Sequence, residues 1–210
     1  MKKNLLLYHF YRHLDEVSYA SQFFNRSKFL QDNFDVLLLC NNKNHKLDDI
    51  TIRAEFNTNI TIRLCEKNAG YQLGHGEAHS DSYDTWSQYA KVIFSQIDCY
   101  IVNSDPLEKE FESDFDALVC KPSVWGELGY YSGDFFVLKP NGKNMFSNWD
   151  KYLGTDTYHE KYLTEFINDN YKVRLQNRSW DEILIRNKPE TTSGLWHTHD
   201  NELVRRELGI

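Results

Sequence analysis

Glycine and proline are scarce in this chain of 210 residues, 10 and 4 respectively, well below the roughly 12% that the two together average in soluble proteins. With aromatic residues at 15%, including 13 Tyr and 13 Phe, that scarcity excludes a disordered or low-complexity chain. Cysteine is sparse too. Cys40, Cys65, Cys99 and Cys120 are widely spaced and form no CxxC pair, which points to reduced, buried thiols rather than a disulfide framework or a zinc knuckle. Basic residues are outnumbered, 24 Lys plus Arg against 31 Asp plus Glu, for a net charge of -7. No Lys/Arg run is long enough to track a phosphate backbone, so broad nucleic-acid binding is excluded. No segment reaches the roughly 18 apolar residues of a membrane span. The opening MKKNLLLYHFYRH imitates a leader, but its apolar stretch is short and is interrupted by Tyr8, His9 and Arg12. The expectation is a soluble, cytoplasmic protein.

The remaining pattern alternates strands and helices. Leu5 to Phe10 and Asp35 to Cys40 are continuous apolar runs, and Val17, Ala20, Phe23, Phe24, Leu30 and Phe34 recur between them at helical spacing. This βαβ unit predicts strands covered on both faces. Further strands are predicted at Ile60 to Cys65, Lys91 to Phe94, Asp116 to Cys120, Asp134 to Leu138 and Tyr171 to Leu175, with Cys99 to Val102 as a short extension. Helices are predicted from about Gln72 to Tyr89, near Pro106 to Ser113, and around Tyr158 to Ile167. The fold class is therefore α/β, one Rossmann-like domain with a mostly parallel central sheet and helices on both faces. The tail after Trp180 gives no clear pattern. Sheets of this kind bind ligands at the carboxyl ends of their strands. With no GxGxxG after the first strand and no GxxxxGK[ST], a dinucleotide fingerprint and a P-loop are both excluded.

Several residues near strand ends carry chemistry. Glu66 to His79 holds three glycines, Gly70, Gly74 and Gly76, in a strand-to-helix turn suited to an anion, or simply to an ordinary turn. Asp98 follows a buried strand and is the better metal candidate, since Asp105 before Pro106 reads as a helix start. His197 and His199 in WHTH are two apart and suit Mn²⁺ or Zn²⁺; two surface histidines are the plainer reading. HGEAH, His75 to His79, departs from a zinc-protease helix because Gly76 separates His75 from Glu77. Asp134 opens a buried strand, where a bare carboxylate is costly. Glu160 ends a T-x-x-E capping box that starts at Thr157. Asp134 and Glu160 are the candidate catalytic bases.

NAGYQLGHGEAH, SQIDCYI, SGDFFVLKP and WHTHD, in that order, resemble the nucleotide-sugar-dependent glycosyltransferases of the GT-A fold. The resemblance runs from Leu5 to about Asp200, and extends to the small glycosyltransferase domains of large algal DNA viruses, the chloroviruses. It implies a single domain over 1–210, with a nucleotide-binding part to about 103 and an acceptor-side part beyond. The family's metal-binding DxD is represented by Gln96-Ile97-Asp98, which keeps only the last acid. His197 or His199 would complete the coordination of Mn²⁺, with Mg²⁺ as the alternative. The donor implied is a UDP-sugar and the acceptor a glycan or other hydroxyl compound, in host cytoplasm if the protein is viral. Tyr8, Tyr11, Arg12, Asn41 and Asn42 would surround the base and ribose. Asn68, Gly70 and His75 would approach the ribose or diphosphate, and Asp134 the donor sugar or acceptor. An inverting reaction would use Asp134 or Glu160 as base. A sugar nucleotidyltransferase is disfavoured, because Tyr11-Arg12-His13 is not a glycine-rich basic loop. A nucleotide-sugar-binding module without turnover stays open, given the incomplete DxD.

Overall fold

A computed structural model of the chain describes residues 3–11, 13–42, 44–65, 71–120, 130–148, 159–175 and 194–210, with 71–75 and 159 described by backbone alone. In chain order the elements are β1 (Asn4–Phe10), α1 (Asp15–Asn25), α2 (Lys28–Asn33), β2 (Phe34–Cys40), α3 (Leu47–Arg53), β3 (Ile60–Leu64), α4 (Tyr71–Asp81), α5 (Tyr83–Trp86) and β4 (Val92–Gln96). They continue with β5 (Cys99–Ile101), α6 (Asp105–Phe111), β6 (Ala117–Val119), β7 (Phe135–Leu138), α7 (His159–Asn170), β8 (Val173–Leu175), β9 (Leu195–His197) and α8 (Asn201–Leu208).

Leu5, Leu6 and Leu7 are all exposed by 1% or less, which requires cover on both faces of β1. Alternation then divides the core. Leu6, Tyr8 and Phe10 join Val17, Phe23, Phe24 and Leu30 of α1 and α2 on one face. Leu5 and Leu7 join Ala78, Trp86, Phe146 and Leu163 on the other. The second layer is fixed by aromatic contacts. Phe94 stacks on Phe136 at 4.8 Å and meets Trp86 edge-on at 5.2 Å, while the Trp86 indole N–H donates to the His79 carbonyl at 2.8 Å. Each such side chain removed from water stabilises the fold by about 1.5–3 kcal/mol before entropy is counted.

The seven-stranded sheet has the order β3-β2-β1-β4-β7-β6-β8. β1 is parallel to β2 and β4, β2 to β3, and β6 to β8. β7 alone is antiparallel to its neighbours β4 and β6. This reversal positions Asp134: Ser95 near the end of β4 pairs with Phe135 at the start of β7, so Asp134 arrives where β1 and β4 finish. A second, two-stranded sheet joins β5 to β9, and Phe23 of α1 packs on it through Tyr100 at 5.1 Å and Trp196 at 6.2 Å.

The helix predicted from Val17 to Phe34 is two helices. Ser27 is extended and accepts the Leu30 N–H at 3.1 Å, starting α2 afresh. The helix predicted to Tyr89 is also broken, at Ser82, whose hydroxyl turns back to the Ala78 carbonyl at 2.9 Å. Cys99 to Val102 does not extend the main sheet but supplies β5 of the small one. The tail without a clear pattern yields β9 and α8, and α3 is a further addition. α8 starts at Asp200, whose carboxylate accepts the Leu203 N–H at 3.0 Å, and ends at Gly209, which has φ 81°.

Candidate metal and nucleotide site

Four polar side chains occupy the carboxyl edge of the sheet on the α4 face. His9, the penultimate residue of β1, lies beside Gln96 of β4, and its Nε2–H donates to Asn41 Oδ1 at 2.8 Å. Gln96 donates through Nε2 to Asp134 Oδ1 at 2.7 Å, and its backbone N–H to the Asp134 carbonyl at 2.9 Å. Asp134 is further approached by the Ser132 hydroxyl at 3.4 Å. These contacts fix one carboxylate at the edge and leave it 27% exposed.

Asp98 stands in the turn between β4 and β5, held because the Ile97 N–H donates to the His9 carbonyl at 2.9 Å and the Thr198 N–H to the Asp98 carbonyl at 3.3 Å. The second bond brings the WHTH segment alongside. His199 Nδ1 lies 2.8 Å from Asp98 Oδ2 and His197 Nε2 lies 3.6 Å from the same oxygen. His197 Nδ1 is in turn 3.6 Å from Asp134 Oδ2, so this ring bridges two carboxylates. The histidine rings meet edge to face at 5.1 Å. Asp98, His197, His199 and Asp134 thus converge on one point, drawn from three separate stretches of sequence.

Burial would raise the Asp98 pKa, but hydrogen bonds and charge from His197 and His199 outweigh it and hold the carboxyl well below its usual range. Burial would lower the His197 pKa, yet Asp98 and Asp134 carry it above the ordinary value; His199 is raised chiefly by its hydrogen bond to Asp98. The carboxylate is therefore anionic across the physiological range. Asp98 Oδ1 is buried with no hydrogen-bond partner among the described residues, a costly state for a carboxylate oxygen and one that a cation relieves. Asp98, Cys99 and His197 place one ligand atom each within 4.8 Å of one another. These donors fit a divalent transition ion better than Mg²⁺, which favours oxygen alone. Cys99 was invisible to pattern reading because its thiol reaches the site only through the pairing of β5 with β9.

The nucleotide candidates fall into three groups. Tyr8, expected beside the base, is 1% exposed and packs against Phe56 at 6.1 Å in the core layer that holds α1. Tyr11 and Asn42 form a knot at the ends of β1 and β2. The Tyr11 carbonyl accepts from Asn42 Nδ2 at 2.8 Å and from His45 Nε2 at 3.2 Å. Asn41 is fully buried under them. Arg12, Asn68 and Gly70 lie outside the described residues, as does the side chain of His75 on α4. Glu160 opens the described side chains of α7; its carbonyl accepts from Thr164 Oγ1 at 2.7 Å, and Thr164 Oγ1 in turn accepts the Tyr131 N–H at 2.7 Å, tying the helix to the segment before Asp134. Thr157 of the expected capping box lies outside the described residues.

No family model and no curated protein matches the chain. Among solved structures it is similar to the galactosyltransferase LgtC in complex with donor and acceptor sugar analogs, with a TM-score of 0.60 and 11% identity over 97% of this chain and 94% of that one. It is similar to TarS 1-349 of S. aureus in complex with UDP-GlcNAc, with a TM-score of 0.61 and 14% identity over 96% of this chain and 60% of that one. It is also similar to the mannosyltransferase PcManGT of Pyrobaculum calidifontis in complex with GDP-Man and Mn²⁺, with a TM-score of 0.58 and 12% identity over 83% and 54%. The chain spans little more than half the length of the last two. Its fold is that of GT-A-type glycosyltransferases. No helix among the described residues is long and apolar enough to cross a membrane.

Proposed function

We propose that the chain is a metal-dependent glycosyltransferase that moves a sugar from a UDP-sugar to a hydroxyl of a glycan acceptor. The convergence of Asp98, His197 and His199 at the carboxyl edge of this sheet carries the reading. An open α/β sheet binds its ligand at that edge, and neighbours of the same fold hold UDP-GlcNAc, or GDP-Man with Mn²⁺. A divalent ion held by Asp98 and one or both histidines, Mn²⁺ or else Mg²⁺, would offset the charge of a diphosphate leaving group. Local compensation of this kind is what a chain of net charge -7 needs to accept an anionic donor.

The chain's own residues then have distinct tasks. Tyr11, Asn41 and Asn42 lie at the ends of β1 and β2, where base and ribose would sit; Arg12 is assigned to the same part of the donor, and Asn68, Gly70 and His75 to its ribose or diphosphate. For an inverting outcome, Asp134 or Glu160 takes the acceptor proton as the glycosidic bond breaks. We assign the reaction to the cytoplasm, that of a host cell if the resemblance to chlorovirus domains reflects origin. One observation favours a nucleotide-sugar-binding module instead: Gln96 replaces the first acid of the DxD and is committed to Asp134.

The test is a thermal shift with UDP and Mn²⁺, since a ligand at about 100 times its Kd stabilises the native state by about 2.7 kcal/mol. The wild-type chain gains stability from UDP only with Mn²⁺, and Asp98→Asn loses that gain while its circular dichroism is unchanged. An identical manganese-dependent shift in the variant refutes the reading. Binding without consumption of any UDP-sugar over a broad acceptor panel selects the module.

A further inference from the structure

Cys99 is 2% exposed and belongs to neither of the two large apolar clusters. It opens β5 directly opposite His197 of β9. Residues facing each other in an antiparallel pair stand on one face, with Cβ atoms about 5 Å apart. Asp98 precedes it and turns back to the same point, so that sulfur, carboxylate oxygen and imidazole nitrogen all lie within 4.8 Å of one another. A buried cysteine ordinarily serves as a small apolar filler. Here it completes a set of oxygen, sulfur and nitrogen donors with Asp98 and His197, and Asp98 Oδ1 has no hydrogen-bond partner among the described residues.

We propose that Cys99 is a metal ligand, and that Asp98, Cys99 and His197 form a mixed site that holds a zinc-class ion in preference to Mn²⁺. The inference rests on the metal-centre part of the proposed function and goes beyond it in the ligand and in the ion. Thiolate sulfur selects zinc and cobalt over manganese, and the order of stability among divalent ions runs the same way. Three protein ligands with one open position are also the arrangement of zinc sites that admit an exogenous ligand. On binding, the Cys99 S–H bond breaks, its electron pair goes to the ion and one proton leaves to solvent; nothing is oxidised or reduced. Zinc and manganese therefore compete for one centre.

The experiment titrates the full chain with Co²⁺ as the optical substitute for Zn²⁺. Wild type develops near-ultraviolet thiolate-to-cobalt absorption that added Zn²⁺ abolishes. Cys99→Ser loses this band, and so does Cys99→Ala, the second variant should serine disturb folding. A chain carrying Cys40→Ser, Cys65→Ser and Cys120→Ser together keeps it. Losing a partner one bond removed from a metal costs about 10- to 100-fold in affinity; losing the Cys99 ligand lowers zinc affinity by more than that while Mn²⁺ binding changes little. Cobalt binding without the band in wild type, no cobalt binding beside normal Mn²⁺ binding, or a band that survives in both Cys99 variants overturns the proposal. If the band depends on Cys99 but UDP never adds stability, the transferase reading falls and the mixed site stands. If UDP and Mn²⁺ bind normally without the band, the reverse holds.

Discussion

Acidification should weaken the fold through His9, chiefly because of its burial. The ring is 2% exposed, donates to Asn41 Oδ1 at 2.8 Å and lies 5.6 Å from the His79 ring. Burial pushes its pKa from 6.5 down to about 4, only partly opposed by Asn41 and the charge of Asp98. In the unfolded chain the same imidazole takes its proton near pH 6.5. Between those values the unfolded state binds more protons, so stability falls as pH drops from about 6.5 to about 4 and is level in this respect below. A shift of 2.5 units, from 6.5 to about 4, at about 1.36 kcal/mol per unit, amounts to about 3 kcal/mol. That is a large share of a typical domain stability of about 5–15 kcal/mol. His197 and His199 have raised values, so what they contribute is complete below pH 6.5 and is lost as pH rises; they cannot mimic the effect. The assay is urea unfolding followed by tryptophan fluorescence at several pH values between 7 and 4, for wild type and His9→Gln, which keeps a donor toward Asn41. Wild type should lose about 3 kcal/mol more than the variant over that range. Parallel stability curves refute the reasoning.

Asp134→Asn and Glu160→Gln should separate the two carboxylates: the one acting as base loses turnover by roughly 10²–10⁴-fold with donor affinity retained, measured by UDP release alongside calorimetric binding. Asp200→Ala removes the carboxylate that accepts the Leu203 N–H, so stability should fall by about 1 kcal/mol. The same change loosens the turn that carries His199, and Mn²⁺ affinity should drop with it in a calorimetric titration.

The apolar strands β1, β2, β4 and β7 were legible because each is covered on both faces and reads as an unbroken run. The same continuity hid which face each residue takes. Leu5 and Leu7 alternate with Leu6, Tyr8 and Phe10, and when both sets are apolar no pattern in the run says which of them meets α1. α3 escaped because Ile50 is its one buried residue, too little to set a period. Asp98 and Asp134 could be singled out beside predicted strand ends, and His197 and His199 as a ligand-like pair in the tail, one of which the resemblance joined to Asp98. The path by which Asp134 and both histidines reach Asp98 could not be read, since it depends on β7 running backwards and on β9 pairing with β5. Cys99 shares that origin: nothing local distinguishes it from the buried thiol of Cys40.

The β5–β9 ribbon also sets an order of events. Its two strands are separated by almost half the chain, so their pairing is among the most non-local contacts in the molecule and carries a high entropic cost of closure. During synthesis the Asp98 and Cys99 donors leave the ribosome long before His197 exists, and β5 waits without its partner strand. Capture of an ion at the proposed centre would thereby report finished folding: a chain arrested before β9 docks can form much of the large sheet and still lack the His197 donor.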